Sequence, residues 1–208
     1  MSEGRVRYYL DWGIAPGEEV AESEAVAEGD YSRGHFDELG QPDFVELFED
    51  GGVFHVDYWS TDLAAVRDRH LRQHPGIPFG VQMPVEREGG YRWDVSLRHD
   101  RQGEQVGRIF ILHDEAGRPV LDVAVDAQNR LRKLEKQQHH STGKVRYVFR
   151  YDVDGKIVDI YDNVKGDNLR VDEVLRFIDD PDFYRDGFSL PAGVSGRVLS
   201  PFSSGQAS

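Results

Sequence analysis

The sequence predicts an α+β fold, a long antiparallel β-meander sheet with two helices packed on one face. Three observations predict it. A turn motif recurs at near-constant spacing, apolar and polar residues alternate between the turns, and in two segments the apolar spacing changes to that of a helix.

The motif is an acidic residue, two variable positions and a glycine, found at 37–40, 100–103, 114–117 and 152–155. Three degenerate copies fill the gaps: 86–89 keeps the glycine, 126–129 replaces it with Asn129, which also tolerates positive φ, and 140–143 starts on His140. The first positions, 86, 100, 114, 126, 140 and 152, are separated by 14, 14, 12, 14 and 12 residues. That leaves about nine residues between turns, the length of one strand, so the region reads as consecutive hairpins.

The elements follow in order. Residues 5–12 read as an aromatic-rich strand bounded by Gly13 and Pro16. Residues 14–30 carry Glu18, Glu19, Glu22, Glu24, Glu28 and Asp30 among small residues and read as an acidic loop or arm. Segments 44–48 and 53–59 form a hairpin about the turn 49–52. After Ser60 and Thr61, residues Leu63, Val66, His70 and Leu71 keep helical spacing until Pro75 and Gly76 stop the run. Tyr91, Trp93, Val95 and Leu97, then Val145, Tyr147, Phe149 and Tyr151, alternate with polar neighbours as strands with one buried face do. Val171, Val174, Leu175 and Ile178 predict a second helix that Pro181 ends. These elements make one domain over 1–188, followed by a Gly/Ser/Pro-rich tail over 189–208.

Composition narrows the function. A chain of 208 residues with no cysteine has no disulfide, thiolate nucleophile or thiolate metal site, which leaves His, Asp and Glu as the metal ligands. A net charge of −13 repels phosphate backbones and anionic lipid and favours a basic protein partner. No stretch approaches the roughly 18 apolar residues of a membrane span, and no apolar leader follows Met1, so a cytoplasmic home is expected.

The units at 149–157 and 111–120 resemble the YD-type β-hairpin repeats of Rhs proteins, over about residues 35–60 and 85–163. The resemblance implies an extended β-sheet. The start of the chain, with residues 7–13 and the 36–40 unit, is similar to bacterial proteins of domain-of-unknown-function type, which implies a bacterial origin and no particular activity.

No motif carries catalytic chemistry. His70 and His74 stand four apart, but Leu71, Arg72 and Gln73 between them lack a zincin glutamate, and nearby arginines oppose a cation, so both read as helix surface. His99, His113, His139 and His140 fall beside turns and read as solvated imidazoles. The carboxylates Asp152, Asp154, Asp159 and Asp162 resemble a calcium loop, but its twelfth position is Asn163, and a hairpin turn accounts for them. There is no Gly-x-Ser-x-Gly elbow and no phosphate-binding loop. Tyr8, Tyr9, Trp12, Tyr58, Trp59 and Trp93 read chiefly as core, with a partner-binding or ligand-binding surface as the other role.

The expected function is therefore a non-enzymatic protein-binding module, of immunity or scaffold type, that needs no cofactor or metal. It would bind a basic partner through Glu18, Glu19, Glu22, Glu24, Glu28, Tyr58 and Trp59. The alternative is a small-molecule-binding or hydrolytic domain with His55, His99, His113 or His139 entering a concavity of the sheet.

Overall fold

The computed structural model describes residues 5–10, 13–14 and 17–199; the predicted strand residues Asp11 and Trp12 and the end of the tail lie outside them. Among the described residues, thirteen strands hydrogen-bond into one mixed sheet with four short helices. The chain divides into two compact units, 1–84 with 96–106, and 85–95 with 107–208.

In the first unit, β1 (Arg5–Tyr9), β2 (Tyr31–Phe36), β3 (Pro42–Glu49) and β4 (Gly52–Trp59) pair antiparallel in sequence order. The alternation in β3 and β4 works as read: Phe44 pairs with Tyr58 and Glu46 with Val56, so one face carries Phe44, Glu46, Val56 and Tyr58. Helix α2 (Leu63–Gln73) starts where Asp62 accepts a hydrogen bond from the Ala65 amide at 3.0 Å. It packs Val66 against Val56, Tyr58, Phe79 and Val81.

Two expectations are corrected here. The sheet is not wholly antiparallel, because α2 carries the chain back along β4 and β5 (Phe79–Gln82) runs parallel to it. The acidic stretch 14–30 is not all loop, because it holds helix α1 (Glu22–Glu28). Ala25 is fully buried beside Tyr31 and Phe48, and that one small residue docks the helix.

The second unit is built from β6 (Glu86–Glu88), β7 (Tyr91–His99), whose last residues belong to the first unit, β8 (Gln105–His113), β9 (Pro119–Asp126), β10 (Leu131–His139), β11 (Val145–Tyr151), β12 (Ile157–Asp162) and β13 (Asp167–Asn168). Each predicted turn from 114 to 155 closes a hairpin. At 114–117 the Gly117 amide donates to the Asp114 carbonyl, and Asp114 Oδ1 accepts from the amides of Ala116 and Arg118 at 3.0 and 2.9 Å. The carboxylate caps the turn while Gly117, at φ +77°, takes the left-handed conformation. At 140–143 the His140 ring nitrogen takes the carboxylate's place. The 86–89 copy is no such turn: Glu86–Glu88 is strand, and Gly89 and Gly90, both at positive φ, make a two-residue hairpin into β7.

On one face of this unit Trp93, Phe110, Leu112, Leu121, Val123, Leu134, Phe149 and Ile160 form the core. The opposite face carries a ladder of ions across β9 to β12, in which Lys133 bridges Asp122 and Glu135 and Arg150 bridges Glu135 and Asp159. The predicted C-terminal helix is shortened to α3 (Val171–Val174), and a second helix that the spacing does not predict, α4 (Pro181–Arg185), follows it. Pro181 begins α4 instead of ending α3, since its missing N–H costs nothing at the first helical position. Val174, Ile178, Phe183 and Tyr184 bury against the core, as do Leu190, Val194, Val198 and Leu199 from the segment that follows.

Candidate functional site

The predicted partner-binding residues separate into three groups. Glu18, Glu19, Glu22, Glu24 and Glu28 are all exposed on α1 and its approach. Glu19 pairs with Arg7 at 3.0 Å, whereas among the described residues Glu18, Glu24 and Glu28 make no ion pair. Trp59 is partly exposed at the end of β4. Tyr58 is a correction: it is a core residue, 1% exposed, with its hydroxyl on His70 Nδ1 at 3.0 Å, and the burial of its ring under α2 closes it to a partner.

The imidazoles of the alternative reading are engaged one by one. His55 meets Asp57 at 3.2 Å and His113 meets Asp94 at 3.0 Å. His139 lies between the carbonyls of Gly143 and Pro119, and His99 stacks on Phe79 with ring centroids 4.4 Å apart. The His55 and Asp57 pair has built surroundings. A methyl group on Gly80 would lie 2.1 Å from Asp57 Oδ1, so glycine is what lets the carboxylate fold across β5 toward Gln82 and Arg98. Burial raises the Asp57 pKa, but the His55 hydrogen bond and the Arg98 charge outweigh it and hold the carboxyl below its ordinary range.

A second acid and imidazole group, unread in the sequence, lies under α2. Glu46 on β3 is buried and accepts two hydrogen bonds from Arg33, at 2.7 and 3.0 Å, and shares one with His35 at 2.8 Å. His74 Nδ1 stands 3.9 Å from the same carboxylate. Burial would raise the Glu46 pKa; the His35 and Arg33 hydrogen bonds reverse this and hold it at about 2. The Arg33 fork covers both carboxylate oxygens, so Glu46 serves as a fixed counter-ion. The reading of His70 and His74 as helix surface is also corrected, because the helix turns His70 fully into the sheet. The register Arg33 to Glu46 was the missing signal: it joins residues on different strands, and the strand carrying Arg33 and His35 lacks an apolar alternation.

Among the described residues no group of three or more His, Asp or Glu side chains is arranged to hold a metal ion, and no helix is long and apolar enough to cross a membrane. No protein-family model matches the chain, and no curated protein matches it.

Proposed function

We propose that the chain is a protein-binding module that takes a basic partner on the acidic arm around α1, in the manner of an immunity or scaffold protein in a bacterial cytoplasm. The observation that carries this reading is that Glu18, Glu24 and Glu28 are exposed and unpaired among the described residues, within a chain of net charge −13. Exposed carboxylates without internal cations give up little hydration and no existing bond when a partner supplies Lys or Arg, and their field speeds encounter. The separate engagement of His55, His99, His113 and His139 supports the binding reading over a hydrolytic one, which needs imidazoles gathered at one place. In this reading the fold is an α+β meander interrupted by one parallel crossover.

The test is a pull-down of the tagged chain from its host at about 20 mM and about 500 mM salt, since screening weakens exposed ion pairs. A stoichiometric basic partner captured at low salt, and lost both at high salt and in the triple variant E18Q/E24Q/E28Q, is the expected result. Absence of any partner at either salt would overturn the reading, as would capture that the triple variant leaves unchanged.

A further inference from the structure

Between α2 and the sheet, imidazole and aromatic rings run in a continuous stack. His99 lies on Phe79 at 4.4 Å, Phe79 on His70 at 4.2 Å and His70 on His74 at 5.5 Å, while Phe44 lies between His74, at 6.1 Å, and His35, at 4.0 Å. His70 is the middle of this stack and holds the helix down. Its Nε2 is 2.8 Å from the Ile77 carbonyl, which can only accept, so Nε2 carries the proton. Nδ1 of the neutral ring is then bare and accepts the Tyr58 hydroxyl at 3.0 Å. The Tyr58 bond requires the neutral imidazole, whereas the Ile77 bond is kept in either protonation state.

We propose that α2 is an acid-released latch: protonation of His70, joined by His74 and His99, undocks the helix and uncovers the apolar face of β4 and β5.

A second proton on His70 would leave the buried Tyr58 hydroxyl without its acceptor and would place a cation at a fully buried position. Among the described residues the anions around the stack are already engaged. On β2 and β3, Glu46 is occupied by Arg33 and His35, and Asp43 is held bidentate by Arg69 at 3.0 Å. Arg69 itself lies over the Phe44 and Tyr58 rings. At the far end, Arg67 on α2 is bonded to Glu104, and Asp100 caps its own turn. His74, 3.9 Å from Glu46, can charge with a counter-ion close by, but its charge then opposes His70, 5.5 Å away. His99 Nδ1 is buried and has no hydrogen-bond partner among the described residues, so a proton there would add an unsatisfied donor. Burial lowers the pKa of all three imidazoles. Each therefore binds protons more weakly folded than unfolded. The docking energy is full above about pH 6.5, the ordinary histidine value, and is lost progressively as pH falls from there toward the lowered values.

Amide hydrogen exchange on the whole protein, corrected for intrinsic rates, tests this at about pH 7.5, 6.5 and 5.5. Peptides covering α2 are expected to lose protection roughly tenfold per pH unit below about 6.5 for each proton taken up, while peptides of β9 and β10 hold theirs. The variant His70→Gln keeps a donor for Ile77 and an acceptor for Tyr58 without a titrating ring, so its α2 protection should fall less steeply, by the one proton that His70 takes up, the rest of the slope belonging to His74 and His99. The proposal is overturned if wild-type α2 stays protected to pH 5.5, if it opens in step with β9 and β10, or if His70→Gln opens equally. Should that variant fail to fold, NMR titration of the wild-type His70 ring decides: a ring that stays neutral until α2 opens supports the latch, and one that charges at or above pH 6.5 with α2 protected refutes it.

Discussion

Lys136 is fully buried and spends all three ammonium protons on main-chain carbonyls, those of Phe183 at 2.5 Å and of Asp186 and Ser189 at 2.7 Å. The Phe183 ring lies 4.0 Å beneath the charge. Burial pulls the ammonium down to about 7, yet three acceptors favour the charged form, since a neutral amine has only two N–H groups to donate. The residue thus tethers the α4 turn to the middle of β10. Lys136→Met is expected to lower stability by about 3 kcal/mol, because three buried carbonyls lose their donor, and thermal unfolding checks it. A loss under about 0.5 kcal/mol would show that the carbonyls find other donors. Turn residues act at the same scale. A methyl group on Gly117 would meet nothing within 4 Å, so the cost of Gly117→Ala is that of the positive φ alone, about 1 kcal/mol, whereas Arg118→Ala, beside it, should cost less.

Helix α2 has only Val66 and His70 buried, so its docking rests on few contacts and on its ends. Replacing the Asp62 cap by alanine should cost about 1 kcal/mol and should raise exchange over 63–73 first, before that of the neighbouring strands. Beneath the helix, Glu46 sets a second pH response. Its folded pKa lies below the unfolded value, so its contribution is complete above about pH 4.5 and disappears as pH falls to about 2. Glu46→Gln should destabilise at neutral pH by about 2 kcal/mol, leaving Arg33 and His35 without their anion, and should flatten stability between pH 4.5 and 2. An unchanged acid limb in denaturant titrations would assign that loss to other carboxylates. The two windows are distinct: the imidazoles of the stack act below about pH 6.5, and Glu46 acts only below about 4.5.

For the whole molecule, a charge of −13 makes self-repulsion the general cost of folding. Raising salt from about 10 to about 200 mM at neutral pH is expected to increase the melting temperature, because screening relieves repulsion more than it weakens the compensated ladder of Lys133, Glu135 and Arg150. A decrease would mean that ion pairs, rather than net charge, dominate the electrostatics.

Local chemistry made much of this protein legible. An aspartate followed three residues later by glycine specifies a capped turn from its own atoms, so the hairpins at 100, 114 and 152 could be read directly, as could the alternation of β3, β4, β7 and β11. The start of α2 is also local, although its cap is Asp62 and not the Ser60 or Thr61 that the sequence suggests. What only the tertiary structure decided depends on partners distant in the chain. The parallel placement of β5, the docking of α1 through one alanine and the early end of α3 with a new helix begun at Pro181 depend on which surface each segment meets. The meeting of Arg33, His35, Glu46 and His74 likewise requires strand register and helix rotation together. A buried polar group is stabilised by what surrounds it, and Lys136, which the pattern of β10 presents as one more charge, is a core residue only because a turn about 50 residues later brings three carbonyls to its ammonium.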